Sequence, residues 1–229
     1  MSVNYNLLDN PVYNSLLSNH SSFAIGHNMA LKYKHEVLPF MGGVPGHKDL
    51  LTTMNPFFQN GEEAFAQENT FEEVAGWKIT AHVPCLQMVC SDKPEIIPDN
   101  KTTLHVLAAD EAKDLYDLVN TVQPGFFREK TYLLGDYYGI KEAGKLVAVA
   151  GERMKPGNFT ELSAICTLPG YTGKGYARLL INRLCCKIFE EGNIPFLHVA
   201  ASNERAIRVY ELLHFRKRRD LTFLKWKFS

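Results

Sequence analysis

The sequence lacks a net charge: 25 lysines and arginines meet 25 aspartates and glutamates. That balance excludes a protein whose main business is a nucleic-acid backbone or an anionic membrane surface. No run of about 18 apolar residues occurs, and "MSVNYNLLDNPVYN" shows no basic stretch followed by an apolar one. Neither a membrane span nor a secretory leader is therefore expected. The five cysteines (Cys85, Cys90, Cys166, Cys185 and Cys186) make no C-x-x-C pair, and an odd number fits reduced thiols in a cytoplasmic setting. Eight histidines show neither H-E-x-x-H nor finger spacing, so no metal is expected. Internal repeats and low-complexity tracts are also missing.

What is present is ordinary globular composition, 45% hydrophobic and 22% charged, in a chain of 229 residues that can bury a substantial core. "SDKPEIIPDNK", Ser91 to Lys101, sets two prolines among charged side chains and reads as an exposed connector. It places a boundary near residue 98, between an N-terminal α+β domain (1–98) and a second domain (99–229). In the second, hydrophobic periodicity gives the order β-α-β-β-β-α-β-α-β, an α/β class with a mixed sheet and helices on its faces. Its clearest helix places Ala177, Leu180, Ile181, Leu184, Cys185 and Ile188 on one stripe. "FRKRRDLTFLKWKF", Phe215 to Phe228, has no Gly, Pro or Asn and is predicted to be one long strand whose partner comes from the N-terminal part or another chain. Within it, "RKRR" reads as a solvated or phosphate-proximal face.

The N-terminal part is less legible. It offers a helix near Pro11 to Ser18, strand-like "FAIGH", a helix near His47 to Met54 and strand-like "WKITAHVPCLQMVC". Phe57, Phe58, Phe65, Phe71 and Trp77 read as packing residues. Its role is unassigned: wall of an acceptor pocket, or a degenerate half of the same fold.

The segment "CTLPGYTGKGYARLL", Cys166 to Leu180, carries the chemistry. It fails the P-loop pattern, because Tyr176 and Ala177 follow Gly175 where Lys and Ser/Thr are required. It also fails the dinucleotide fingerprint, because Arg178 stands where a third glycine belongs. Yet glycines between a strand and a helix start expose unpaired backbone N–H groups and a positive dipole end, which suit a pyrophosphate.

Thr172-Gly173-Lys174-Gly175-Tyr176-Ala177 resembles the signature of the GNAT superfamily of N-acetyltransferases (Arg/Gln, two residues, Gly, one residue, Gly/Ala), with threonine at the first position. "NERAIRVYELLHF" is similar to a second family segment, with His214 where glycine is usual, and "FTELSAICTLP" to the strand between them. The resemblance covers about residues 100 to 229. It implies a GNAT-type acyltransferase fold and acetyl-CoA as cosubstrate. Its pyrophosphate would lie on Thr172, Gly173, Lys174, Gly175, Tyr176 and Ala177, its arm along Ile165, Cys166 and Thr167, with Asn203 nearby.

Glu161 matches the family's general base, with two alternatives: a partner for an arginine such as Arg153, or Glu152 on the neighbouring strand as the base instead. Tyr210 matches the acid that protonates the leaving thiolate. His198 reads as a core histidine and Cys166 as a small apolar strand residue. The implied acceptor is a primary amine of a small molecule or amino acid, attacked directly in a ternary complex. Arg128, in "QPGFFREKTYLLGDYYG", is a candidate partner for an acceptor carboxylate. The alternative function is a non-catalytic acyl-CoA sensor or interaction module. A homodimer is compatible with the sequence.

Overall fold

The computed structural model describes residues 3–67, 74–98 and 101–229; Phe71 and the connector residues Asp99 and Asn100 lie outside these. The N-terminal part holds α1 (Pro11–Leu17), β1 (Ala24–His27), β2 (Ala30–Tyr33), β3 (Met41–Gly43), α2 (Leu50–Met54), β4 (Glu63–Gln67) and β5 (Trp77–Cys90). After the connector come β6 (Leu104–Val106), α3 (Ala112–Val122), β7 (Tyr137–Glu142), β8 (Lys145–Glu152) and β9 (Phe159–Thr167). Then follow α4 (Tyr176–Glu190), β10 (Ile194–Ala200), α5 (Glu204–Leu212) and β11 (Phe215–Phe228). The element order after residue 98 is the one that periodicity implies.

β1, β2 and β3 form a small sheet, and the other eight strands form one large mixed sheet in the order β4-β11-β5-β10-β9-β8-β7-β6. The sheet therefore draws strands from both sides of residue 98. β11 is a single long strand, as its uninterrupted sequence implies, and both its partners, β5 and β4, come from the N-terminal part. The "RKRR" segment is tied down by acids: Arg218 and Arg219 reach Asp9, and Lys217 reaches Asp220.

The two faces of the sheet are covered differently. On one, α4 buries Leu180, Ile181, Leu184, Cys185 and Ile188 completely against Val147, Ala148, Leu162 and Leu197. Each buried Leu or Ile stabilises the fold by about 1.5–3 kcal/mol relative to exposure. On the other, α1 and its neighbouring segments (Leu8, Val12, Leu16, Tyr33, Phe40) pack onto Phe159, Phe196 and Phe223. The aromatic packing expected of the N-terminal part holds for Phe58, Phe65 and Trp77, which are buried.

One feature of the sheet opens the site. β9 and β10 pair in parallel at Ile194↔Phe159, Pro195↔Thr160 and Phe196↔Glu161, and no further pair joins them. Beyond that point β9 stays with β8 as far as Thr167, while β10 stays with β5 as far as Ala200. The β8–β9 register slips between Val149 and Gly151, opposite Ala164, whose φ of +52° is unusual for a residue with a Cβ. A bulge of this kind bends its strand. Here it accompanies a wedge-shaped parting in the middle of the sheet.

Candidate active site

The glycine loop sits at the mouth of the parting. Gly173 and Gly175 both have φ of +84°, and an added Cβ would meet nothing within 4 Å at either. Glycine is thus required there by dihedral angle and not by crowding. Gly175 is the N-cap of α4, and no side chain caps the helix. The N–H groups of its first turn are left for an outside acceptor.

A cavity of about 710 Å3 runs from this loop through the parting. Thr172, Gly173, Gly175, Tyr176 and Ala177 line one end, and the free stretch Ile165–Thr167 lines the middle. Ala177, at the start of the core stripe of α4, packs against the core and also borders this space. Tyr210 on α5 also lines it; the ring is buried, and desolvation raises its pKa above the ordinary phenol value. Among the described residues its hydroxyl has no hydrogen-bond partner. A neutral phenol so placed is a proton donor without a competing acceptor. Asn203 lines the cavity as well, while its Oδ1 accepts from Ala206 N at 3.1 Å and caps α5. Burial pushes the thiols of Cys166 and Cys85 up to about 12 and about 11, so neither is an ionised nucleophile.

Glu161 lies behind the cavity wall and does not line it. Arg153 donates to it through Nε at 2.8 Å and Nη2 at 2.7 Å, Met154 N donates at 3.3 Å, and His198 Nδ1 lies 2.6 Å from Oε1. Burial pushes its carboxyl up, but the Arg153 charge and hydrogen bonds, helped by His198, outweigh this and hold it at about 2. So strongly held a carboxylate is a weak base at neutral pH. Of the two sequence-level alternatives, the arrangement displays the arginine pair.

His198 and Arg153 do line the cavity. The hydrogen-bond network assigns the imidazole tautomer. Arg218 Nη1 donates to Gln87 Oε1 at 2.8 Å, which leaves the Gln87 amide nitrogen facing Leu8 O at 2.8 Å and His198 Nε2 at 3.1 Å. His198 Nε2 therefore accepts from Gln87, and Nδ1–H donates to Glu161. Both nitrogens of the imidazole are thus occupied.

The other candidates separate cleanly. Glu152 is buried against Lys155 and Lys187 and does not line the cavity. Lys174 turns away to Glu142, 2.8 Å off, and Tyr176 donates to the same carboxylate, so the lysine braces the loop. Arg128 does not reach the cavity. His214 follows α5 with φ of +66°, the geometry that explains a preference for glycine there.

Residues that sequence reasoning passed over include Gln87, Phe40, Arg178 and Arg205. A glutamine inside the apolar run "CLQMVC" was a usable signal, since a buried amide must find partners. Arg178 and Arg205, at the starts of α4 and α5, line the cavity's glycine-loop end and form no ion pair among the described residues. No group of His, Cys, Asp and Glu able to hold a metal occurs among the described residues, and no helix is long and apolar enough to cross a membrane.

A split sheet beside an uncapped, glycine-led helix defines the acyl-CoA acyltransferase class of fold. Comparison with known proteins agrees. The family model described as FR47-like protein matches residues 137–224. A structure from Novosphingobium aromaticivorans described as a "Putative Acetyltransferase from the GNAT family" is 30% identical, covers 97% of this chain and 99% of its own, and superposes with a TM-score of 0.89. The chain belongs to the GNAT family. A GCN5-related N-acetyltransferase from Kribbella flavida shares the fold at 16% identity, covering 95% of this chain and 96% of its own, with a TM-score of 0.60. A GCN5-related N-acetyltransferase-like protein from Streptococcus suis does so at 14% identity, covering 90% and 82%, with a TM-score of 0.55. No curated protein matches the sequence.

Proposed function

We propose that the protein is an acetyl-CoA-dependent N-acetyltransferase acting on a primary amine of a small molecule or amino acid by direct attack in a ternary complex. The observation that carries this reading is the parting of β9 from β10 beside the uncapped start of α4, which joins a phosphate cradle and a strand edge in one cavity. The residues fit the cosubstrate. Backbone N–H groups from Gly173 to Ala177 suit a pyrophosphate, Arg178 and Arg205 suit further phosphate charge, and the open edge of Ile165–Thr167 suits an amide-bearing arm. Bound acetyl-CoA would supply the activated acyl group. Backbone N–H groups near Ile165 and Cys166 serve as oxyanion donors. Tyr210 donates the proton that the departing thiolate needs. The 1–98 segment contributes Phe40, Val83 and Cys85 to the far wall, which supports a role in shaping the acceptor pocket.

Proton removal from the amine falls to solvent. Glu161 is engaged by Arg153, His198 by Gln87 and Glu161, and Glu152 lies elsewhere, so among the described residues no free basic side chain faces the acceptor. The amine enters as its neutral form, and Glu161 acts as a positioning carboxylate that holds Arg153 and His198 in place. The test is the pH dependence of thiol release with two amines of well-separated pKa. The rising limb is expected to follow each amine's own pKa; one limb common to both would instead assign an enzymic base, and restore Glu161. Absence of thiol release with any amine, despite acetyl-CoA binding, would favour a non-catalytic acyl-CoA-binding module.

A further inference from the structure

The acceptor end of the cavity has a composition that selects among amines. Its walls include Phe40, Val83, Phe126 and Phe223, and among the described residues no carboxylate side chain lines it. Among the described residues its one charged group is Arg153. Glu161 takes the Nε–H and one Nη2–H of that guanidinium from behind. Five N–H donors in a fixed fork leave two on Nη1 and one on Nη2, which together make a second, end-on pair. Among the described residues these donors have no partner. The plane is held as well, because the guanidinium lies over the Phe40 ring at 5.1 Å and Glu161 is immobilised by His198 and Met154 N. A cationic fork amid aromatic rings, facing a cavity, calls for a planar anion attached to an apolar body.

We infer that the acceptor is an α-amino acid with an aromatic or large apolar side chain, its carboxylate bound end-on by Arg153 and its side chain packed among Phe40, Phe126 and Phe223. The inference rests on the N-acetyltransferase reading and narrows its substrate class. The carboxylate fixes the neighbouring amine at the junction with the cosubstrate half, while the aromatic wall supplies binding without charge. An amine lacking the carboxylate leaves the end-on donors of Arg153 unpaired in a dehydrated site, and that penalty is what discriminates.

The experiment compares L-phenylalanine with 2-phenylethylamine, the same molecule without its carboxylate. Both are assayed by thiol release from acetyl-CoA and corrected for the neutral-amine fraction. The wild-type protein should favour phenylalanine by at least ~100-fold in kcat/KM. Arg153→Lys, which keeps a cation beside Glu161 but has no second fork, should shrink that ratio about tenfold or more while calorimetric acetyl-CoA affinity stays unchanged. A purely structural role for Arg153 would lower both activities together and leave the ratio intact, which would overturn the proposal. So would equal wild-type turnover of the two amines, a result that needs no variant and leaves the N-acetyltransferase reading standing. Absence of thiol release with these and any other amine, with acetyl-CoA still bound, would instead sink that reading and this one with it.

Discussion

The two ends of the cavity are made by different means. The glycine-loop end is backbone: six consecutive residues, Thr172 to Ala177, whose left-handed glycines and uncapped helix start create donors wherever the chain folds this way. The acceptor end is side chain, gathered from β5, β10, β11, Arg153 just after β8 and the segment before β3. Backbone recognition tolerates sequence change, which explains how the loop keeps its geometry with Thr172 in the first position. Side-chain recognition does not tolerate it, because each group depends on a partner elsewhere in the chain. One half of the site is therefore common property of a fold, and the other is particular to this protein.

The sharpest way to break the acceptor end is Glu161→Gln. It leaves the largely buried Arg153 guanidinium without its charged partner, and losing one member of a buried pair costs about 3–5 kcal/mol; urea titration should show it as a lowered midpoint. The effect has a pH signature. Glu161 titrates near 2 in the folded chain against an ordinary 4.5, so its contribution is complete above about pH 4.5 and lost as the pH falls toward 2. The stability difference between wild type and variant should shrink across that window. A constant difference would show that Glu161 is not held by its charge.

Tyr210→Phe tests the junction of the two ends. It should lower kcat about 100-fold, within the range of one acid–base group, with acetyl-CoA affinity unchanged. A wild-type kcat would remove Tyr210 from proton donation. Gly175→Ala tests the backbone end alone. Forcing a Cβ to φ of +84° costs about 1–2 kcal/mol and should weaken calorimetric CoA binding roughly tenfold, with the acceptor preference untouched. The smallest effect is His214→Gly, outside both ends. Relief at φ of +66° should raise stability by about 0.5–1 kcal/mol with no change in activity.

The same contrast explains what could be read from the sequence. The order of strands and helices from β6 to β11, the glycine loop at Gly173 and Gly175, and the position of Tyr210 beside the cavity all follow from local periodicity, turn chemistry and family resemblance. Glu161 stood out as a carboxylate in an apolar strand, but its state depends on Arg153 and His198, and nothing local reports that both its oxygens are occupied. Arg128 and Arg153 look alike in a sequence. What decides which guanidinium reaches the cavity is tertiary placement, Arg153 being held beside Glu161 of β9. Lys174 looked free to meet a phosphate because Glu142, its partner, lies on a different strand.

The pairing of β11 has a consequence for biosynthesis. β5 is laid between β10 and β11, and β4 hydrogen-bonds along β11, so the strands made early find their partners among those made late. While the ribosome is still adding the second half, β4 and β5 emerge with open edges and the apolar face of α1 has little sheet to cover. Such long-range closure is slow and leaves aggregation-prone edges exposed in the meantime. The acceptor wall, which needs Phe40 and Val83 from the early part and Phe223 from the late part, thus comes into being only when the last rung of the ladder closes. A nascent chain stalled before β11 would carry a complete glycine loop and no place to put an acceptor.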